Sequence, residues 1–311
     1  MDKTAFLFPG QGSQAVGMMT GLERCTPLVR EVFDTASEVL GFDLGALVRD
    51  GPAERLDQTE FTQPALLAAS IATWRAWQSL GGGKPDYLAG HSLGEYSALV
   101  AAEAIDFSDA IAVVAARGRH MQSATPAGGG AMAAILGVDD AVLERICEEA
   151  AQGQIVSCAN FNSPGQVVLA GDREAVQRAC VLAGAAGARR AIPLSVSVPS
   201  HCALMHPAAA AMQTVLEKVE IRAPRVPVIH NVDAAPHEDP AEIRQVLTEQ
   251  LKLPVRWSET VRKLAAWGVT RCVECGPGKV LSGLNRRIAR DLQTVAFSDC
   301  DTMKKTREEW S

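Results

Sequence analysis

Tyr87-Leu88-Ala89-Gly90-His91-Ser92-Leu93-Gly94-Glu95-Tyr96-Ser97-Ala98-Leu99-Val100 is the stretch whose reading decides the fold. Its first three residues form a short apolar run that reads as a strand, and Glu95 to Val100 carry helical spacing. Between them, Gly90-His91-Ser92-Leu93-Gly94 has the Gly-x-Ser-x-Gly pattern of a nucleophile elbow. There a tight turn forces the serine into a strained conformation, and small neighbours let the backbone close up. Ser92 would then stand at a helix N-terminus, where N–H groups and the helix dipole favour negative charge. The plainer alternative is a glycine-rich turn in which Ser92 only caps the helix.

Outward from this turn, β-rich runs at 4–9, 86–91, 226–232, 271–275 and 293–298 alternate with helical patterns at 26–40, 62–80, 93–103, 107–124, 203–218, 239–251, 256–267 and 278–290. That alternation predicts an α/β fold with a mostly parallel sheet. The breaker run Pro126-Ala127-Gly128-Gly129-Gly130 marks a boundary. Beyond it the pattern reads strand 131–136, helix 139–151, strands 155–160 and 166–171, helix 172–186 and strand 188–196, the βαββαβ order of a ferredoxin-like unit. The expected architecture is an α/β-hydrolase-like parallel-sheet core with that unit inserted: residues 1–126 and 198–311 as a large α/β subdomain, and 127–197 as a small ferredoxin-like one. The polar tail from Thr302 to Ser311 is expected to fray.

Composition narrows the function. The 311 residues are 47% hydrophobic, enough to bury a large core, and the formal net charge of -6 leaves no broad basic field for nucleic acid or an anionic membrane. The N-terminus has too short an apolar run for a signal peptide and no later run reaches membrane-spanning length, so a cytoplasmic protein is expected. Eight scattered cysteines read as reduced thiols. Cys272 and Cys275 lack a second pair or a histidine at metal spacing, so they read as two thiols on a strand, and no metal site is expected.

A serine nucleophile needs a base, and the six histidines are His91, His120, His201, His206, His230 and His237. His91 adjoins Ser92 but should point away from it at such a turn. His201 lies where the insert returns to the larger subdomain, a junction where clefts form. By position it is either a base or a structural histidine, with His206 and His230 as rivals. The oxyanion would be held by the N–H of Leu93 and by a second N–H from Phe8-Pro9-Gly10-Gln11-Gly12-Ser13, with Gln11 the candidate. A phosphate-cradling loop is the rival reading, but that segment has no Gly-Lys-Ser/Thr ending and no third dinucleotide glycine.

Arg117 shares a helical face with Ala110, Val113, Val114 and Met121, so its guanidinium should be buried. Burial is costly without a carboxylate in its planar fork, and no acid lies one turn away on the same helix. Either a distant carboxylate of the protein or one on a substrate fills that role.

With these residues assembled, the sequence resembles the malonyl-CoA:acyl carrier protein transacylases of dissociated bacterial fatty-acid synthesis over residues 1–298. The matching motifs are Phe8-Pro9-Gly10-Gln11-Gly12-Ser13-Gln14, Thr62-Gln63-Pro64-Ala65, Gly90-His91-Ser92-Leu93-Gly94-Glu95, Val198-Pro199-Ser200-His201, Pro254-Val255-Arg256-Trp257 and Glu274-Cys275-Gly276-Pro277-Gly278. The resemblance implies Ser92 as nucleophile, His201 as base oriented by the Gln250 carbonyl, Arg117 as ligand of the malonyl carboxylate, and Gln11 and Leu93 as oxyanion donors. It also implies Gln63, Asn160 and Asn162 as further substrate-binding residues. The tail after Asp299 matches no motif.

The reaction so implied is a ping-pong transfer of malonyl from malonyl-CoA to the phosphopantetheine thiol of acyl carrier protein, by a monomer that needs no cofactor. A serine hydrolase and a non-catalytic carrier-binding protein are the rivals. Lys279, Arg286, Arg287 and Arg290 form the densest basic cluster, either a docking face for an acidic carrier or an ordinary solvated face.

Overall fold

Four of the six residues of the first strand are fully buried, which requires cover on both faces of the sheet that contains it. The computed structural model describes residues 2–126, 128–194 and 198–310. Its strands are β1 (Lys3–Phe8), β2 (Tyr87–Gly90), β3 (Gly130–Leu136), β4 (Val156–Ser163), β5 (Gln166–Asp172), β6 (Arg190–Pro193), β7 (Val228–Ile229), β8 (Val269–Glu274) and β9 (Gln293–Ala296).

The larger sheet runs β7-β2-β1-β8-β9 with every neighbouring pair parallel, as the alternation predicts. Alternation along β1 divides the core. Phe6 and Phe8 join the cluster that holds Trp74, Trp77 and Phe297, whereas Ala5 and Leu7 join the one around Trp257. Phe6 meets Trp74 edge-on at 5.4 Å, and truncating such a ring costs about 3–5 kcal/mol.

The second sheet, β4-β5-β3-β6, is antiparallel. Helices Asp140–Ala151 and Arg173–Ala185 enclose a separate small core with it, including Ile135, Leu143, Leu169 and Val176. The architecture is thus mixed α/β, with a parallel sheet and a distinct antiparallel one.

Several expectations change. Of the strand expected over 188–196, the described residues form β6, Arg190–Pro193, and Ala127 and residues 195–197 lie outside the described residues. The strand expected over 226–232 shrinks to β7: Pro227 has no N–H to donate, and after Ile229 the chain turns so that His230 and Asn231 reach inward to Glu95. Over the described residues the tail is ordered as a helix. Cys300–Trp310 is a helix whose Cys300, Met303 and Thr306, three apart, are buried, and Arg307 donates to the Leu80 carbonyl at 2.7 Å. Cys300 is joined to Cys25 in a disulfide, which corrects the reduced reading for that pair, while the other six cysteines are free. Among the described residues no helix is long and apolar enough to cross a membrane.

Candidate active site

The turn after β2 puts Ser92 at φ 52, a left-handed conformation that costs a non-glycine residue on the order of 1–3 kcal/mol. Close packing holds it there. A Cβ on Gly94 would meet the Phe8 carbonyl, and one on Gly90 would meet the Gly94 backbone, so the helix Gly94–Ala101 sits directly against the end of β1. Asn231 clasps the turn from the far side: its Oδ1 accepts from the Ser92 N–H at 2.6 Å and its Nδ2 donates to the Gly90 carbonyl at 2.6 Å.

The Ser92 hydroxyl lies 2.7 Å from Nε2 of His201. The other ring nitrogen, Nδ1, donates to the Gln250 carbonyl at 2.7 Å, which leaves Nε2 as the acceptor for the serine proton. Burial, reinforced by the Arg117 charge, pushes the His201 pKa down to about 3, so the ring is neutral at pH 7. The rivals are elsewhere. His206 is exposed at the start of a helix, and His230 is buried against Glu95 at 2.7 Å. His91 turns away from Ser92, as expected; it bonds Asn162 Oδ1 at 2.8 Å, and burial lowers its pKa.

Arg117 comes from the helix Phe107–Ser123 and is 1% exposed. Its Nη1 donates to Gln63 Oε1 at 2.9 Å, and its Nη2 to Gln250 Oε1 at 2.9 Å and to Ser92 Oγ at 3.3 Å. Its Nε has no partner, and among the described residues no carboxylate stands within ion-pair distance of it. Burial lowers its pKa and pushes the neighbouring Tyr96 up to about 12. The guanidinium is therefore positioned by amide oxygens without being neutralised.

A cavity of about 290 Å³ opens over these groups, walled by Gln11, Leu93, Asn160 and Asn162 together with Met132 and Val168 of the antiparallel sheet. Gln63, expected on that wall, instead lies behind it: it is 1% exposed, orients Arg117 and donates to Met121 Sδ at 3.3 Å. Next to the cavity, sharing Gln166 with it, is a groove of about 1280 Å³ lined by Arg189, Arg190, Arg286, Arg287 and Arg290. All five are exposed; Lys279 of the expected cluster is not on its wall.

Reading the sequence missed Glu95 and Asn231. Glu95, fully buried, accepts from His230 Nδ1 at 2.7 Å, Asn231 N–H at 3.0 Å and Gln250 Nε2 at 2.8 Å. The available signal was an acid in the first turn of an otherwise apolar helix, directly after the elbow.

A serine hydroxyl bonded to a neutral histidine, on a strained turn at a helix N-terminus, can form and break an acyl ester. The comparisons agree in class. The acyl transferase domain profile matches residues 5–298, and the chain belongs to that family. It is 54% identical over 308 residues to the malonyl CoA-acyl carrier protein transacylase of Escherichia coli (strain K12), covering 99% of this chain and 100% of that one. An acyl carrier protein S-malonyltransferase from Vibrio cholerae superposes with a TM-score of 0.96 at 56% identity, over 98% of this chain and 100% of that one. A malonyl-transacylase solved in complex with its type II polyketide synthase acyl-carrier protein superposes with a TM-score of 0.98 at 53% identity, over 99% and 100%.

Proposed function

We propose that this protein transfers malonyl from malonyl-CoA to the phosphopantetheine thiol of an acyl carrier protein, in two half-reactions joined by a malonyl ester on Ser92. The observation that carries this reading is Arg117: a buried guanidinium with no carboxylate partner, 3.3 Å from the Ser92 hydroxyl. A carboxylate on the acyl group would supply the negative charge that its glutamine partners lack, and a planar fork suits bidentate binding.

In the first half-reaction Ser92 Oγ attacks the thioester carbonyl as its proton passes to His201 Nε2. The N–H groups of Gln11 and Leu93 hold the oxyanion. The C–S bond then breaks and the His201 proton leaves on the coenzyme A sulfur. In the second, the carrier thiol gives its proton to His201, attacks the ester carbonyl, and Ser92 regains its proton as the C–O bond breaks. Every proton is accounted for within the two substrates and these residues, so the scheme requires no cofactor. Asn160 and Asn162 border the acyl group, and Gln63 and Gln250 hold Arg117 and His201 in place. The exposed arginine groove beside the cavity suits an acidic carrier.

The order β6-β3-β5-β4 within 127–197 supports a ferredoxin-like subdomain, and the elbow on a parallel sheet supports a hydrolase-like core formed by 1–126 and 198–311. We assign the protein to the cytoplasm as a monomer. A hydrolase is the weaker reading, because His201 leans on a main-chain carbonyl where the α/β-hydrolase series uses an acid. Intact-protein mass spectrometry tests the choice. Brief mixing with malonyl-CoA should add one malonyl group at Ser92, and carrier protein should then remove and acquire it. Loss of the adduct to water at the same rate with and without carrier would overturn the transferase reading.

A further inference from the structure

Among the described residues Gln250 is the one side chain hydrogen-bonded to both Glu95 and Arg117, the charged groups buried around Ser92. Its Nε2 donates to the Ser92 carbonyl at 3.0 Å and to Glu95 Oε2 at 2.8 Å, while its Oε1 accepts from Arg117 Nη2 at 2.9 Å. The two ends of an amide are chemically distinct, and an ionised carboxylate can only accept. Glu95 therefore draws the NH₂ end toward itself. Turned over, Gln250 would set its oxygen against two acceptors and its NH₂ against a guanidinium that also only donates. Glu95 is itself held by His230 Nδ1 and the Asn231 N–H, so it cannot swing to relieve such a clash.

This arrangement separates two demands on Arg117. A buried guanidinium needs a negative charge nearby, yet a carboxylate seated in its fork would occupy the place of the substrate. Glu95 supplies that charge at one amide's remove. We infer that Glu95 is a positioning residue for acyl selection: through the Gln250 side chain it aims Arg117 at the acyl carboxylate while keeping its own carboxylate out of the guanidinium fork. The direction of the electrostatic effect agrees, since burial lowers the Arg117 pKa and the Glu95 charge acts to raise it. The inference rests on Arg117 receiving the malonyl carboxylate.

The test compares kcat/KM for malonyl-CoA and acetyl-CoA, the second having no carboxylate for Arg117. Glu95→Gln keeps the shape but can donate, so Gln250 loses the partner that sets its direction. The malonyl-to-acetyl ratio should fall about tenfold or more, with acetyl transfer itself changing by roughly threefold or less. Gln250→Met, which removes the amide between Glu95 and Arg117 and retains the main-chain carbonyl that orients His201, should lower the malonyl-to-acetyl ratio by a similar factor whatever it does to the acetyl rate, and an unchanged ratio in folded Gln250→Met overturns the inference if Glu95→Gln does not fold. A ratio unchanged in the folded variant, whether because both substrates slow equally or because neither does, would reduce Glu95 to a structural residue and overturn the inference. Arg117→Ala is measured alongside. If that change leaves the ratio intact, the malonyl reading fails first; if Arg117→Ala collapses the ratio and Glu95→Gln does not, only the role of Glu95 fails.

Discussion

The cavity floor and the neighbouring groove both present arginine, under opposite physical conditions. On the floor a single guanidinium is 1% exposed and held by two glutamine oxygens. In the groove five arginines stand in solvent, and among the described residues the one hydrogen bond made by their guanidinium groups runs from Arg287 Nη1 to Gln166 Oε1 at 2.6 Å. Water screens the groove charges, so each is worth little alone and the set acts by number and reach. Burial removes that screening on the floor, so one charge can decide which acyl group is accepted. On the proposed reading, chemistry and docking would thus be divided between few strong contacts and many weak ones.

That division is easiest to break at the floor. Ser92→Ala should abolish acyl-enzyme formation, and trapping of labelled malonyl by this variant would identify a different nucleophile. His201→Ala should slow acylation by a factor on the order of 10²–10⁴, measured in single turnovers; rates like those of the unaltered protein would remove the base from the scheme. Arg117→Ala should cost malonyl transfer about 3–5 kcal/mol while acetyl transfer gains relative to it. Circular dichroism must show that the helix Phe107–Ser123 is still folded. In the groove the effects should be smaller: Arg286→Glu with Arg287→Glu should raise KM for the carrier roughly threefold to tenfold and weaken its salt dependence. Equal changes in KM for malonyl-CoA would mean that the groove does not single out the carrier.

The smallest expected effect is a lack of change with pH. His201 is depressed from 6.5 to about 3, so the free protein keeps its base unprotonated as pH falls through 6.5. The profile of kcat/KM for malonyl-CoA should show no histidine break there, and a limb centred near 6.5 would place the base in a more solvated setting. Stability should respond differently. The unfolded chain protonates His201 and His91 below their ordinary pKa while the folded one resists, so acidification below 6.5 should lower stability by up to about 1.4 kcal/mol per pH unit for each ring.

The main features of the fold were legible because they are local. Gly90 to Gly94 announced the turn, and the apolar face around Arg117 announced its burial. Ser92, His201 and Arg117, picked out in the sequence, do meet around one cavity. The layer behind them was not legible. Glu95 meets Gln250 across 155 positions and His230 across 135, and a hydrogen bond between side chains so far apart leaves no periodic trace. Gln63 was placed one layer too far forward for the same reason. The C-terminal helix was missed although its signal was present: Cys300, Met303 and Thr306 recur every three residues in a segment whose average polarity masks them.

The central position of β1 has a consequence for how the protein comes into being. Ala5 pairs with Tyr87 on one side and with Cys272 on the other. At about 5–20 residues per second of synthesis, the earlier strand waits on the order of ten seconds or more for its second neighbour. Through that interval one edge of the future sheet centre lacks its partner, and the loop that must close is nearly the length of the chain, which makes the final pairing slow and exposed to misassembly. Gln250, which orients the His201 ring, is also made late. The nascent chain therefore carries Ser92 long before the groups around it can be assembled, and on the proposed reading its reactivity would arrive only with the completed fold.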